Sequence, residues 1–97
     1  MEIKMKFSEV ALLFGLSYDI VQKHAVKIRD FFPDFAPNNE LNSEDLLYYS
    51  AFVLAYKSEN SKTKKVNAGI EAYIYEVKKS IAKSHKINVN SFTLFGR

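Results

Sequence analysis

The chain has no cysteine, only three glycines and only two histidines in 97 residues. Without cysteine there is no disulfide framework and no thiolate metal site, and a reducing cytosol is the expected compartment. No apolar run approaches the roughly 20 residues of a membrane-spanning helix. The opening "MEIKMKFSEV" has lysines with no apolar core behind them, so it does not read as a secretory signal. There is no glycine-rich phosphate loop, and no Ser/His/Asp or Cys/His arrangement that would support nucleophilic catalysis. Neither histidine has metal-ligand spacing to a partner, so no metal and no cofactor are expected. An enzyme is the least expected class.

What is present is a normal globular balance, 47% hydrophobic and 26% charged, in one domain with a modest core. The net charge of +3 is unevenly spread. Residues 31–56 carry Asp34, Glu40, Glu44 and Asp45 with no Lys or Arg, whereas residues 57–86 carry eight lysines against Glu59, Glu71 and Glu76. A lysine-rich face reads either as plain solvation or as a surface for a polyanion such as DNA or RNA.

In "FSEVALLFGLSYDIVQKH", Ser8 reads as an N-cap with Glu9 in the first turn, and Val10, Leu13 and Phe14 fall at helical spacing. Gly15 stands where a left-handed residue ends that helix, Leu16 fills the turn, and Ser17 caps a second helix. In the second helix Ile20 or Val21, His24 or Ala25, and Ile28 mark the buried stripe, with Asp19, Gln22, Lys23 and Lys27 outward. Two short helices about a tight turn make a helix-turn-helix. "DFFPDFAPNN" breaks the pattern and reads as a loop pinned by phenylalanines, with Asn38, Asn39 and Glu40 at its tip. "NSEDLLYYSAFVLAYK" is apolar around so much of its circumference that it reads as the central, most buried helix, capped by Asn42 or Ser43.

A last helix is expected over about 63–84. Its Ile70, Ile74, Val77 and Ile81 form a heptad-like seam that suits a helix pair in a dimer. The tail 87–97, "INVNSFTLFGR", reads as a short strand or a packing arm. His24 reads as a core histidine. Tyr48, Tyr49, Tyr56, Tyr73 and Tyr75 read as core and interface residues. Lys62, Lys64 and Lys65 crowd a helix N-terminus, where cations oppose the macrodipole and a compensating anion is a reasonable expectation.

With these stretches on the page, the chain resembles the DNA-binding domain of MerR-type winged helix-turn-helix proteins. The resemblance runs through "FSEVALLFGLSYDIVQKH", "LNSEDLLYYSAFVLAYK" and "SKTKKVNAGIEAYI", roughly residues 6 to 75. It implies an all-α fold with at most a small β wing over residues 1–86, ending in a long dimerisation helix. It implies Ser17, Tyr18, Asp19, Gln22 and Lys23 facing the major groove, Lys27 near phosphate, and Asn38 and Asn39 at the wing tip. Gln22 stands near the place where the family usually has an arginine, and the wing segment is acidic instead of arginine-bearing. Lys62, Lys64 and Lys65 therefore become the candidate phosphate ligands.

The function expected is a small, effector-less, dimeric regulator of phage, plasmid or bacterial origin that binds double-stranded DNA in the cytoplasm, at the nucleoid. It would act by occupying a site, typically as a repressor. A partition or excisionase-like factor is the alternative within that class. A protein-interaction module using the last helix and tail is the alternative from another class.

Overall fold

The computed structural model describes residues 3–84, so the expected role of the tail 87–97 lies outside the described residues. Four α-helices and a two-stranded antiparallel sheet make up the described chain. In order these are β1 (Lys4–Lys6), α1 (Phe7–Phe14), α2 (Tyr18–Arg29), β2 (Glu40–Asn42), α3 (Ser43–Ser58) and α4 (Lys65–Ser84). A mostly helical fold with one small sheet is the coarse architecture the sequence predicts.

Helix α1 begins one residue earlier than expected. Ser8 lies inside the first turn and is not the cap. The N-cap position falls on Lys6, whose backbone N–H donates to Glu9 Oε1 at 2.8 Å. The acidic residue of the first turn thus satisfies an otherwise orphaned donor. The other end follows the expected course. Gly15 takes φ 67°, and Leu16 N–H donates to Ala11 O at 2.9 Å while Gly15 N–H reaches Leu12 O at 3.4 Å, a Schellman closure. α1 has no basic residue in its last turn, and Lys57, at the end of α3, supplies one by donating through Nζ to Phe14 O. Ser17 Oγ accepts from Ile20 N–H at 3.2 Å and starts α2.

The sheet is not a hairpin, and it is the small β element expected beside the helices. β1 precedes α1, and its partner β2 comes only after α2 and the loop, so the whole helix-turn-helix lies between the two strands. Met5 pairs with buried Leu41 on the core side, and Lys6 pairs with Glu40, opposite charges across the ladder.

The core gathers Phe7, Val10, Val21, Ile28, Leu41, Tyr49, Phe52 and Tyr73 from the four helices and β2. α3 packs chiefly on α4. It buries Tyr48, Tyr49, Phe52 and Val53, yet leaves Leu47 and Leu54 exposed at 57% and 71%, so it is not covered on all sides. Of the loop phenylalanines, Phe35 is buried, Phe32 packs on Tyr73 at 4.9 Å between ring centroids, and Phe31 points out. The α4 seam also departs from expectation. Ile70 is buried in the chain's own core, Ile74 and Val77 pack partly against it, and Ile81 stays exposed. One chain already uses most of that seam, because α3 offers α4 an aromatic surface to cover.

Candidate nucleic-acid interface

Helix α2 has two distinct faces. Val21, His24, Ala25 and Ile28 are buried, as the periodicity predicts, which turns Tyr18, Asp19, Gln22, Lys23 and Lys27 to solvent. Ser17 is exposed at the helix start and Val26 is exposed at 60% between the two lysines. Tyr18 is steadied from both sides: its ring lies 6.4 Å from that of Phe7, and Gln22 Nε2 reaches its hydroxyl at 3.4 Å. This surface offers an amide, two ammonium groups, a phenol and an apolar isopropyl group along one helix, the groups that read base edges, thymine methyls and phosphates. Sequence reading missed Val26, because an exposed valine has no periodicity signal of its own.

The loop tip meets the start of α2. An open cleft of about 250 Å³ is lined by Lys6, Phe7, Ser8, Tyr18, Asn38, Asn39 and Glu40. Tyr18, Asn38 and Asn39, assigned separately from sequence, therefore share one site. The loop is held rigidly. Arg29 donates from Nε to Phe35 O at 3.0 Å and from Nη2 to Ala36 O at 2.8 Å and Asn39 Oδ1 at 3.1 Å. Asn39 is thus partly occupied in holding the tip, whereas Asn38 has an exposed side chain.

From the other side, Asp45 Oδ2 accepts from Ala36 N–H at 3.2 Å and Asn42 N–H at 3.3 Å. Burial raises the pKa of Asp45, and the backbone donors Asn42 and Ala36 pull the other way. These contacts pin Ala36 in the left-handed region at φ 52°, a conformation that costs a non-glycine residue about 1 kcal/mol. Arg29 is the residue that sequence reasoning passed over. A lone arginine at a helix end does not show which carbonyls the later chain will bring to it. Arg29→Ala should cost about 1–2 kcal/mol by stranding two carbonyls. It should also speed amide hydrogen exchange over residues 35–40; unchanged exchange there would remove Arg29 from this role.

The third group of candidates lies elsewhere. Lys62 and Lys64 are exposed in the turn before α4, which has no acidic residue in its first turn. Lys65 differs from them. Its Nζ donates to Glu59 O at 2.9 Å and stands 4.8 Å from the centroid of the Tyr56 ring, so much of its capacity goes to holding the turn. Tyr56 in turn lies 4.4 Å from the His24 ring, which connects this turn to the inner side of α2.

His24 is a core residue, as expected. It is 2% exposed, its Nδ1 lies 2.8 Å from Tyr49 Oη, and burial lowers its pKa to about 4. Among the described residues no group of histidines and acidic side chains could hold a metal ion, and no helix is long and apolar enough to cross a membrane. No protein-family model, curated protein or solved structure matches this chain.

Proposed function

We propose that the chain is a duplex-DNA-binding regulator of the winged helix-turn-helix type. In this reading it is an effector-less dimer of phage, plasmid or bacterial origin, acting in the cytoplasm by occupancy and doing no chemistry of its own. The exposed face of α2 supports this most directly: Gln22, Lys23, Val26 and Lys27 stand outward from a helix whose opposite side is locked into the core. Gln22 suits adenine, Lys23 a guanine or phosphate, and Lys27, Lys62 and Lys64 phosphates. Tyr18, Asn38 and Asn39 would meet the adjoining backbone across their shared cleft.

The test is binding of duplex DNA followed by anisotropy from 50 to 200 mM salt. About four phosphate contacts per protomer, hence about eight in the dimer, give a log–log slope near −7, and Lys27→Ala or Lys64→Ala should each make it shallower by about two. Gln22→Ala should relax selectivity at one position of a site chosen from random duplexes, by about tenfold or more. Affinity indifferent to salt, or untouched by these changes, overturns the reading.

A protein-interaction module is the second reading. Leu12, exposed at 86%, Leu13 at 59% and Leu54 at 71% favour it. Binding of a protein partner would be lost on Leu12→Asp and insensitive to Lys27→Ala.

A further inference from the structure

Helix α4 packs Ile70, Tyr73 and Val77 against the core. On its far side Glu71, Ile74, Tyr75 and Lys78 line an open, largely apolar groove of about 330 Å³. At about 3.6 residues per turn, Ala82 falls in line with Tyr75 and Lys78 and about half a turn round from Tyr73. An alanine there should face solvent. Ala82 is instead 0% exposed, although it is not part of the core cluster. The elements that build the core pack on the opposite side of α4, so none of them supplies its cover. We infer that residues 85–97 of the same chain turn back after Ser84 and lie along this outer side of α4, over Ala82 and into the Tyr75 groove.

The tether favours this occupant. The segment leaves α4 at Ser84, within a turn of Ala82, so the helix itself delivers it to the groove. A short tether holds the local concentration at about millimolar, and weak apolar contacts then suffice. Ser84 to Glu71 spans about 20 Å along the helix axis, a distance that about six extended residues cover. Composition agrees as well. Ile87 and Val89 alternate with Asn88 and Asn90, which gives one apolar and one polar edge, and Phe92, Leu94 and Phe95 follow. The segment carries Lys86 and Arg97 and no acidic residue, whereas exposed Glu71 marks the far end of the groove. A second groove, with Asp34, Glu44, Tyr73 and Val77 in its wall, lies on the core-facing side of α4. A segment seated there would leave Ala82 bare.

The chain has no cysteine, so Ser91→Cys offers a single thiol for a nitroxide on the full chain. The label should broaden the amide signals of Tyr75 and Ala82 and spare those of Asp34 and Glu44. This broadening should be lost in Ile87→Asp, which leaves every described residue unchanged and so cannot act by misfolding the core. It should be lost also in Ala82→Glu, a change that would be harmless at a solvent-facing helix position. No nucleic acid is present, and the outcome does not depend on the DNA reading.

Tyr75 and Ala82 signals that ignore the label overturn the inference. So does broadening at Asp34 and Glu44 in their place, or broadening that survives both substitutions. A mixture of nitroxide-bearing chain with unmodified, isotope-labelled chain tests for a second copy. Broadening as strong in that mixture as within the labelled chain gives the groove to another molecule and overturns the inference too.

Discussion

Acidifying the protein from pH 7 to pH 4 is expected to remove about 3 kcal/mol of stability through His24 alone. Its imidazole is 2% exposed and its folded-state pKa lies near 4, against the usual 6.5. As pH falls below 6.5 the unfolded chain takes up a proton that the folded chain refuses until about pH 4. Stability is therefore full above pH 7 and declines across that window, at 1.36 kcal/mol per unit of pKa difference. The cause is structural. Phe52 and Tyr56 rings lie 4.6 and 4.4 Å away, and the polar partner at hand is the neutral Tyr49 hydroxyl, itself pushed up by burial. Charged groups at the surface cannot compensate, since the ring lies beneath them.

Asp45, whose pKa is raised, works in the opposite sense: it binds its proton sooner in the folded state and returns part of the loss in the carboxylate range. Comparison with His24→Gln isolates the imidazole, because both chains keep Asp45. The variant should be the less stable protein at pH 7 by urea denaturation, having lost ring packing. By pH 4 it should match or exceed the parent. Parallel stability curves from pH 7 to pH 4 would contradict the buried neutral imidazole.

Gly69→Ala is expected to lower the melting temperature by about 10 °C, the reverse of its effect in an exposed helix. There the change gains up to about 1 kcal/mol of helix propensity. Here a Cβ would stand 2.8 Å from Cδ1, Cε1 and Cζ of Phe52. Phe52 is fully buried and cannot yield: its ring lies 4.6 Å from His24 and 5.5 Å from Tyr49. Overpacking of this kind costs about 2 kcal/mol, equivalent to roughly that temperature shift in a domain of this size. Gly69→Val should cost more. Adding Phe52→Leu to Gly69→Ala should recover part of the loss relative to the sum of the single changes. A variant that melts higher than the parent would show that α3 and α4 do not approach this closely.

Local chemistry was legible where a signal is carried by neighbours in sequence. Gly15 with Leu16 and Ser17 closes one helix and opens another, because a left-handed residue and a hydroxyl cap act within five residues of themselves. Asn42 caps α3, its Oδ1 accepting from Asp45 N–H at 2.8 Å, for the same reason. The outward set on α2 followed from period 3.6 alone. The strand Lys4–Lys6 was not legible, since three residues carry no periodicity and its partner is more than thirty residues away.

The α4 seam shows the limit most clearly. Ile70, Ile74, Val77 and Ile81 announce an apolar edge, and nothing in their spacing tells whether the chain's own α3 or a second chain will cover it. Lys65 looks like its neighbours Lys62 and Lys64 until the fold brings Glu59 O and the Tyr56 ring to its ammonium.

By itself the sequence determined where the chain turns, which helices form and which side of each is apolar. Backbone conformation and capping depend on contacts a few residues apart. The tertiary structure alone decided which apolar side meets which, that Arg29 and Asp45 clamp the loop from two directions, and that His24 stays neutral inside an aromatic cage. Burial and long-range hydrogen bonding are properties of partners far apart in the chain, and only packing brings those partners together.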